Sequence, residues 1–229
     1  MATSKQELSD HTETHQDSAR NAEAEFLEGI SRASGHQEES FLSLSVGARI
    51  KAVRETKSLS LKDIALRTGF SESVIGQIER GETLPPLGDM VKLARALEMK
   101  MGYLLSQGES RPYTVVRKKN RKMISRYGSQ KTMRYGYTYE SLAPEKKERN
   151  MEPFLVTLEP TSQEESPSTH EGEEFIFVLE GEIEVILGDD REVLSMEDSI
   201  YYDSTLPHRV RALGQQNARI VAVLYTQEK

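Results

Sequence analysis

Two hydrophobic periods divide this sequence. Between residues 41 and 106, apolar residues recur every three or four positions, as Val46, Ile50 and Val53 do, and this is the period of an α-helix. From Met151 onward, short runs such as "EEFIFVLEG" and "ARIVAVLYT" are rich in strand-forming residues and are separated by Gly, Asp and Pro. The pattern predicts a multidomain α plus β protein, in which a helical bundle precedes an antiparallel β-barrel or jelly roll.

Residues typical of helix starts and ends predict five helices in the first region. Ser60 and Ser71 stand where N-caps are expected, and Gly69 and Gly81 stand where the same two helices would end. A fourth helix follows the Pro85-Pro86 pair, and "MGYLLS" predicts a short fifth one. The second and third helices, with a short turn between them, have the spacing of a helix-turn-helix.

The charge distribution favours the same region as a contact for nucleic acid. The whole chain has a formal charge of −7, but its segments differ: residues 1–40 carry −6, residues 41–108 carry +3 and residues 109–229 carry −4. Phosphate affinity depends on local lysine and arginine contacts, so the positive helical segment matters more than the total. Residues 1–40 are polar and acidic without a sustained period, and we expect them to form a disordered tail.

The composition also indicates the cellular compartment in which the protein is expected. No apolar run approaches the roughly 18 residues that span a bilayer, and the N-terminus lacks the pattern of a signal peptide. The chain has 0 cysteines, which excludes disulfides and thiolate chemistry. We therefore expect a cytoplasmic protein without a membrane partner.

The helical region resembles a known family of DNA-binding domains. The stretches "LKDIA", "SESVIGQIERG" and "PPLGDMVKLARAL" are similar to the lambda-repressor and Cro family, also called the xenobiotic-response-element family. The resemblance implies that the recognition helix begins at its N-cap Ser71 and meets base edges through Glu72, Ser73 and Gln77. It also implies contacts to the DNA backbone from Ser60, Lys62, Arg67 and Arg80. Glutamine suits this role, because its amide can form a bidentate pair with adenine.

The β-rich region resembles the cupin superfamily. Its paired motifs are "HEGEEFIFVLEG" and "MEDSIYYDSTLPHRV". Metal-binding cupins carry a second histidine where this chain has Gly172, so the resemblance implies a reduced ligand set of His170, Glu174 and His208. Two histidines and one carboxylate suit one divalent transition metal, such as Fe, Mn, Ni or Zn. The alternatives are a pocket in which these residues hydrogen-bond an organic ligand without metal, and a purely structural barrel.

A basic region connects the two parts. The run from Arg111 to Tyr137 carries nine lysines and arginines and no acid. It predicts either a strand pair with a solvated basic face or a second surface that contacts phosphates. A third interpretation is that three of its residues and a neighbour line the ligand pocket: Arg134, Tyr135, Tyr137 and Tyr139.

Together these features predict an acidic tail over residues 1–40 and a helix-turn-helix domain over residues 41–107. A basic linker with the first barrel strands would cover residues 108–150, and a cupin sensor would cover residues 151–229. The order resembles that of bacterial regulators in which a metabolite in the barrel changes operator affinity. It implies a small-molecule effector, a homodimer formed through the cupin domain and a near-palindromic DNA site.

Two other functions are open at this point. The chain also resembles the iron-dependent hydroxypropylphosphonate epoxidases, in its architecture and in its set of His170, Glu174 and His208. The alternative to a regulator without enzyme activity is therefore a non-haem iron oxidase or epoxidase. Against it, residues 151–190 carry no lysine or arginine to hold a phosphonate, although Lys131 or Arg134 could supply a cation. A scaffold or antitoxin-like partner is the third reading, and the barrel argues against it.

Overall fold

The fold is taken from a computed structural model of the chain. The residues that it describes are 45–83, 85–106, 111–121, 123–126, 137–146, 148–161 and 166–226. They belong to one compact unit that begins at Ser45. The predicted acidic tail, residues 1–40, lies outside the described residues, as do Lys131, Arg134 and Tyr135.

Five α-helices form the first part of this unit, as the periodicity predicts. They are α1 (Val46–Thr56), α2 (Leu61–Thr68), α3 (Glu72–Glu79), α4 (Leu87–Ala96) and α5 (Met101–Leu105). The Ser60 side chain caps α2, and Asp63 completes a reciprocal capping box by accepting the Ser60 backbone N–H at 2.7 Å. Gly69 ends α2 with a φ of 79°, a left-handed conformation that glycine adopts without steric cost.

The bundle is held by an apolar core and by a partly buried ion pair. Ile50, Ile64 and Ile75 come from the first three helices and are fully buried. Arg54 of α1 donates from Nε to Oε1 of Glu79 at 2.6 Å and from Nη2 to Oε2 at 2.9 Å. This two-point contact fixes α3 from its inner side, which leaves its other face directed away from the core.

Within the described residues, nine strands form two antiparallel sheets, and the predicted cupin jelly roll is confirmed. The strands are β1 (Met123–Arg126), β2 (Tyr137–Ser141), β3 (Met151–Leu158), β4 (Glu173–Glu180), β5 (Ile183–Leu187), β6 (Asp190–Leu194), β7 (Ser199–Asp203), β8 (His208–Ala212) and β9 (Ala218–Tyr225). The larger sheet has the order β1-β2-β3-β9-β4-β7, and the smaller one has the order β6-β5-β8.

Alternation along the strands builds the barrel core and directs polar groups into it. On β4, Ile176 and Val178 are buried on the inner face, and Glu174 points to that face because it is two residues before Ile176. Tyr202 of β7 is paired in register with Glu174 and is also buried. The same pattern that packs the core thus places one carboxylate and one phenol inside the barrel.

A buried polar cluster joins the end of the bundle to the barrel. Arg149 donates from Nη1 to Oγ of Ser106 at 2.6 Å and from Nε to Oε2 of Glu152 at 2.7 Å. Arg49 of α1 donates to the carbonyl oxygen of Ser106 at 2.8 Å. Burial raises the pKa of Glu152 to about 7, although the charge of Arg149 opposes this shift. The cluster therefore fixes the end of α5 against β3.

Candidate functional site

The loop before β4 brings His170 to the barrel. Ser168 pairs with His208 in an isolated antiparallel bridge, with hydrogen bonds of 2.8 and 2.9 Å. The backbone N–H of His170 then donates to the carbonyl oxygen of Ser204 at 3.0 Å. These contacts place His170 beside the start of β8, 38 positions away along the sequence, from which His208 also projects.

Gly172 stands where the resemblance implies a second histidine, and the backbone explains its presence. Its φ is +109°, and a Cβ at this position would lie 2.0 Å from the carbonyl oxygen of Tyr225. No side chain fits there unless the end of β9 moves. Position 172 therefore cannot supply a further ligand to the site.

The three predicted ligands converge. Nε2 of His170 lies 2.8 Å from Oε1 of Glu174, and Nε2 of His208 lies 3.6 Å from the same oxygen. One ligand atom from each residue lies within 4.8 Å of the others, and all three residues are buried. The sequence prediction of His170, Glu174 and His208 as one cluster is therefore matched by their positions.

Neighbouring groups orient the cluster. Nδ1 of His208 lies 2.8 Å from the carbonyl oxygen of Leu206, which it reaches as a donor, so that Nε2 is the nitrogen with a free lone pair. Nδ1 of His170 lies 3.3 Å from the carbonyl oxygen of Glu171. The hydroxyl of Tyr202 donates to Oε2 of Glu174 at 2.5 Å. Such outer contacts fix the ring and carboxylate orientations that metal ligands require.

The electrostatics favour an ionised carboxylate at Glu174. Burial alone would raise the pKa of Glu174, but the hydrogen bond from His170, the charges of both histidines and the Tyr202 hydroxyl together lower it. Burial lowers the pKa of His208. The pKa of Tyr202 is raised by burial and by the charge of Glu174, so the phenol keeps its proton.

The donor set fits a divalent metal ion. Two neutral imidazole nitrogens and one carboxylate oxygen are ligands for first-row metals such as Fe, Mn, Ni and Zn. With metal–ligand bonds of about 2.0–2.2 Å, adjacent ligand atoms lie roughly 3 Å apart, which is close to the observed separations of 2.8 and 3.6 Å. A three-residue set leaves coordination positions for another molecule.

A cavity of about 320 Å³ adjoins the cluster and has the size of a small-metabolite site. Glu174, His208 and the predicted pocket residues Tyr137 and Tyr139 all line it. Its apolar wall comes from the core faces of β3, β4 and β9: Val156, Leu158, Ile176, Ile220 and Ala222.

Sequence reasoning missed one wall of the cavity. The chain from Pro86 to Asp89 and the side chain of Lys92 line it, and these residues belong to the start of α4 in the helical bundle. Nζ of Lys92 lies 3.6 Å from Oδ1 of Asp89. No local signal in the sequence indicates this contact, because it depends on how the bundle packs against the barrel.

The predicted base-reading residues lie on the outer face of α3. Glu72, Ser73 and Gln77 are exposed, and Val74 between them is 40% exposed. Ser71 caps the helix by accepting the backbone N–H of Val74 at 3.3 Å. This face therefore offers one amide, one hydroxyl, one carboxylate and one apolar group to a partner.

The residues predicted to contact the DNA backbone differ in their interactions within the protein. Lys62 is exposed on α2, whereas the Ser60 hydroxyl is engaged in the capping box. Arg67 donates to the carbonyl oxygen of Ala96 at 2.7 Å and pairs with the Glu98 carboxylate.

Arg80 is likewise partnered, because both oxygens of Glu82 accept from its guanidinium at 2.6 and 3.0 Å. A phosphate contact would require Arg67 and Arg80 to exchange these carboxylates for phosphate oxygens.

Comparisons with known proteins match both halves of the chain. A family profile described as "Helix-turn-helix" matches residues 50–104, and one described as "Cupin domain" matches residues 154–224. Among the residues described by the structure, no helix is both long enough and apolar enough to cross a membrane.

Three known proteins match both regions together, over 77% to 83% of this chain. The HTH-type transcriptional regulator SutR of Escherichia coli (strain K12) is 22% identical over 177 residues, which are 77% of this chain and 92% of SutR. The HTH-type transcriptional regulator PuuR of the same strain is 24% identical over 181 residues, covering 78% of this chain and 94% of PuuR. The crystal structure of an HTH_3 family transcriptional regulator from Vibrio cholerae superposes with a TM-score of 0.57 at 25% identity, covering 83% of this chain and 99% of that one.

Proposed function

We propose that this chain binds a near-palindromic operator in double-stranded DNA and that a small molecule in its barrel changes the operator affinity. The grounds are that the chain joins a helix-turn-helix domain to a cupin domain and is homologous to HTH-type transcriptional regulators. The observation that carries the proposal is the presence, in one compact unit, of an exposed polar face on α3 and a cavity with convergent polar groups. Such a protein would act in the cytoplasm.

The DNA half of the proposal rests on the chemistry of α3. Ser73 and Gln77 can hydrogen-bond base edges, and a glutamine amide pairs with adenine in the major groove. Val74 is exposed next to them and offers an apolar contact to a thymine methyl group. Lys62 on α2 has the charge and the exposure for a phosphate contact that sets register without reading sequence.

The sensor half rests on the cavity and on the cluster of His170, Glu174 and His208. The cavity combines apolar and aromatic walls with a few polar groups, which is the general form of a small-molecule site. We propose that the cluster holds one divalent transition metal and that the effector binds beside it, within reach of Tyr137 and Tyr139. The metal would supply Lewis acidity and open positions for an effector group, while Tyr202 and Leu206 hold the ligand orientation.

The outer face of the large sheet supports a homodimer through the cupin domain. Phe175 is 36% exposed and Tyr201 is 62% exposed, and the two are paired in register on β4 and β7. Val223 of β9 is paired with Phe175, which extends this apolar strip across three strands. A sheet face can pack on the same face of a second copy about a twofold axis, and two copies supply the two recognition helices that a near-palindromic site needs.

A non-haem iron oxidase or epoxidase is the second candidate, and the cluster of two histidines and one glutamate is the observation that favours it. Bound iron would supply oxygen activation, and the cavity would hold the substrate. The exposed face of α3 would then have no role. The two candidates therefore differ in whether the protein selects a DNA sequence.

Selection of genomic fragments by the purified full-length chain at near-physiological salt, read by sequencing, tests the proposal. The control is the chain with Ser73→Ala and Gln77→Ala. We expect the unmodified chain to enrich one near-palindromic sequence and the control to lose that preference. Absence of any enriched sequence at every salt concentration where the protein is folded would overturn the regulator, and iron content with oxygen consumption would then test the second candidate.

A further inference from the structure

One face of α4 contacts the barrel. Gly88, Lys92 and Arg95 are separated by four and three residues, so they lie on one side of the helix. A Cβ on Gly88 would lie 2.2 Å from Oγ of Ser168 and 2.6 Å from Cδ2 of His170. Gly88 therefore gives the helix backbone direct access to a residue of the candidate metal cluster.

The other two residues of this face also meet the sensor. The guanidinium of Arg95 forms an ion pair with the carboxylate of Glu171, the residue that follows His170. Lys92 lines the cavity between these two contacts. We call Gly88, Lys92 and Arg95 the docking face of α4. It touches the His170 loop at both ends and the cavity in the middle.

The opposite side of α4 belongs to the DNA-binding bundle. Leu93, Ala94 and Leu97 are buried in the bundle core. Arg67 of α2 donates to the carbonyl oxygen of Ala96 at 2.7 Å and pairs with Glu98. Because α2 and α3 form the helix-turn-helix and share this core, a displacement of α4 carries the recognition helix with it.

We propose that the docking face transmits the occupancy of the barrel to the recognition helix. This inference rests on the proposed regulator function and extends it by naming the coupling surface. The coupling does not need a chain of intervening residues. Lys92 lines the cavity, so a molecule bound there would contact it directly. His170 is a member of the cluster and also lies next to Gly88. The coupling between the two sites is expected to be about 5- to 150-fold in operator affinity.

The test measures operator affinity by fluorescence anisotropy with full-length protein, with Zn²⁺ alone as the probe and with chelator as the reference. The operator is the sequence enriched in the genomic selection. The variants are Arg95→Glu, Glu171→Arg and the charge-swapped double variant. Lys51→Glu is the matched control, because it makes the same charge reversal at an exposed position of α1. Calorimetry with the unmodified chain and with His208→Ala separates zinc in the cluster from zinc bound elsewhere.

We expect Zn²⁺ to change the operator affinity of the unmodified chain and of Lys51→Glu at least about fivefold. Each single reversal should reduce this response to less than about twofold, since two like charges replace an attractive pair. The double variant should recover it. Recovery would identify the ion pair itself as part of the coupling, because a merely structural loss is not repaired by the swap.

Gly88→Ala provides a second, independent variant. Alanine favours a helix more than glycine does, so the bundle is expected to stay folded while the added Cβ separates α4 from Ser168 and His170. We expect zinc binding with no change in operator affinity.

Several results would overturn the inference. One is an unchanged zinc response of operator affinity in both single reversals and in Gly88→Ala. A second is a double variant that does not recover the response. A third is that zinc binds the unmodified chain without changing its operator affinity. If zinc does not bind the cluster at all, both the metal site and this inference fail. In every one of these cases, enrichment of an operator would still stand as support for the regulator itself.

Discussion

The hydroxyl of Tyr202 donates a hydrogen bond to Oε2 of Glu174 at 2.5 Å, while the other oxygen of that carboxylate faces the two histidines. The two residues are paired in register across β4 and β7, so the contact is set by the sheet and not by a flexible loop. A carboxylate held in this way presents a fixed oxygen to an ion. The orientation of Glu174 should therefore matter to metal affinity as much as its charge.

Tyr202→Phe is expected to weaken metal binding by roughly 10- to 100-fold, which is the usual cost of losing a group that orients a ligand. The ring that fills the barrel is retained, so the fold should survive. Titration calorimetry with Zn²⁺ measures the effect. The neighbouring Tyr201→Phe is the control, because Tyr201 is exposed and pairs with Glu173 on the outer face. Equal zinc affinity in the two variants would contradict a role for Tyr202 in the site.

Gln77→Ala is expected to relax base preference at one position of each half-site and to cost about 1–3 kcal/mol of specific binding. The reason is that a bidentate amide contact with a base edge is lost, while phosphate contacts are kept. Binding to a set of operators, each substituted at one position, measures it. If the preference is unchanged at every position, Gln77 does not read the sequence.

Lys62→Ala should act differently, although it lies in the same domain. A lysine that contacts phosphate contributes equally to all sequences, so its loss should weaken binding uniformly and reduce the salt slope by about 1. Affinities measured between low and moderate salt on the operator and on random DNA check this. A change confined to the operator would assign Lys62 to base reading instead.

Phe175→Glu is expected to convert the proposed homodimer to a monomer and to weaken operator binding, since it places a charge in the apolar strip formed with Tyr201 and Val223. Sedimentation velocity at micromolar concentration measures the assembly. Met196→Glu is the matched control, because Met196 is an equally apolar residue exposed in the turn before β7. A dimer that tolerates Phe175→Glu would move the interface to another surface.

The buried carboxyl of Glu152 predicts a pH dependence of stability. Burial raises its folded pKa to about 7, above the ordinary value of 4.5. The folded state then binds more protons at this group than the unfolded state between these values, so the contribution of Glu152 to stability is fully present below about 4.5 and is lost as pH rises through about 7. The loss is at most about 3 kcal/mol for a shift of this size. Urea unfolding between pH 5 and 8 measures the slope.

Glu152→Gln should flatten this slope, because the amide does not titrate and still accepts a hydrogen bond from Arg149. The exposed Glu159→Gln should leave the slope unchanged. The contribution is assigned to Glu152 only if the two variants differ. A slope that survives in Glu152→Gln would mean that other groups cause it.

Much of the fold follows from local patterns. The period of three to four residues and the serine caps predicted the helices of the bundle, and the period of two predicted the strands of the barrel, because helix and strand each impose a fixed spacing on buried positions. The paired motifs also predicted that His170, Glu174 and His208 would form one cluster, and their side chains do converge.

Other features of the site could not be predicted locally. Adjacent tyrosines at 201 and 202 look alike in the sequence, and only the register of β7 with β4 decides which one enters the barrel. Gly172 looked like a missing ligand, whereas its φ and the nearby Tyr225 carbonyl show that the backbone leaves no room for one.

The sequence by itself determined the elements, their order and the residue types available for DNA and metal, since these depend on neighbours within a few positions. The tertiary structure alone decided that Gly88, Lys92 and Arg95 of α4, a helix of the bundle, face the barrel cavity and the His170 loop. These contacts join residues about 80 positions apart, so they depend on how the folded bundle packs against the folded barrel. The surface of each part is complete only after its own core has formed.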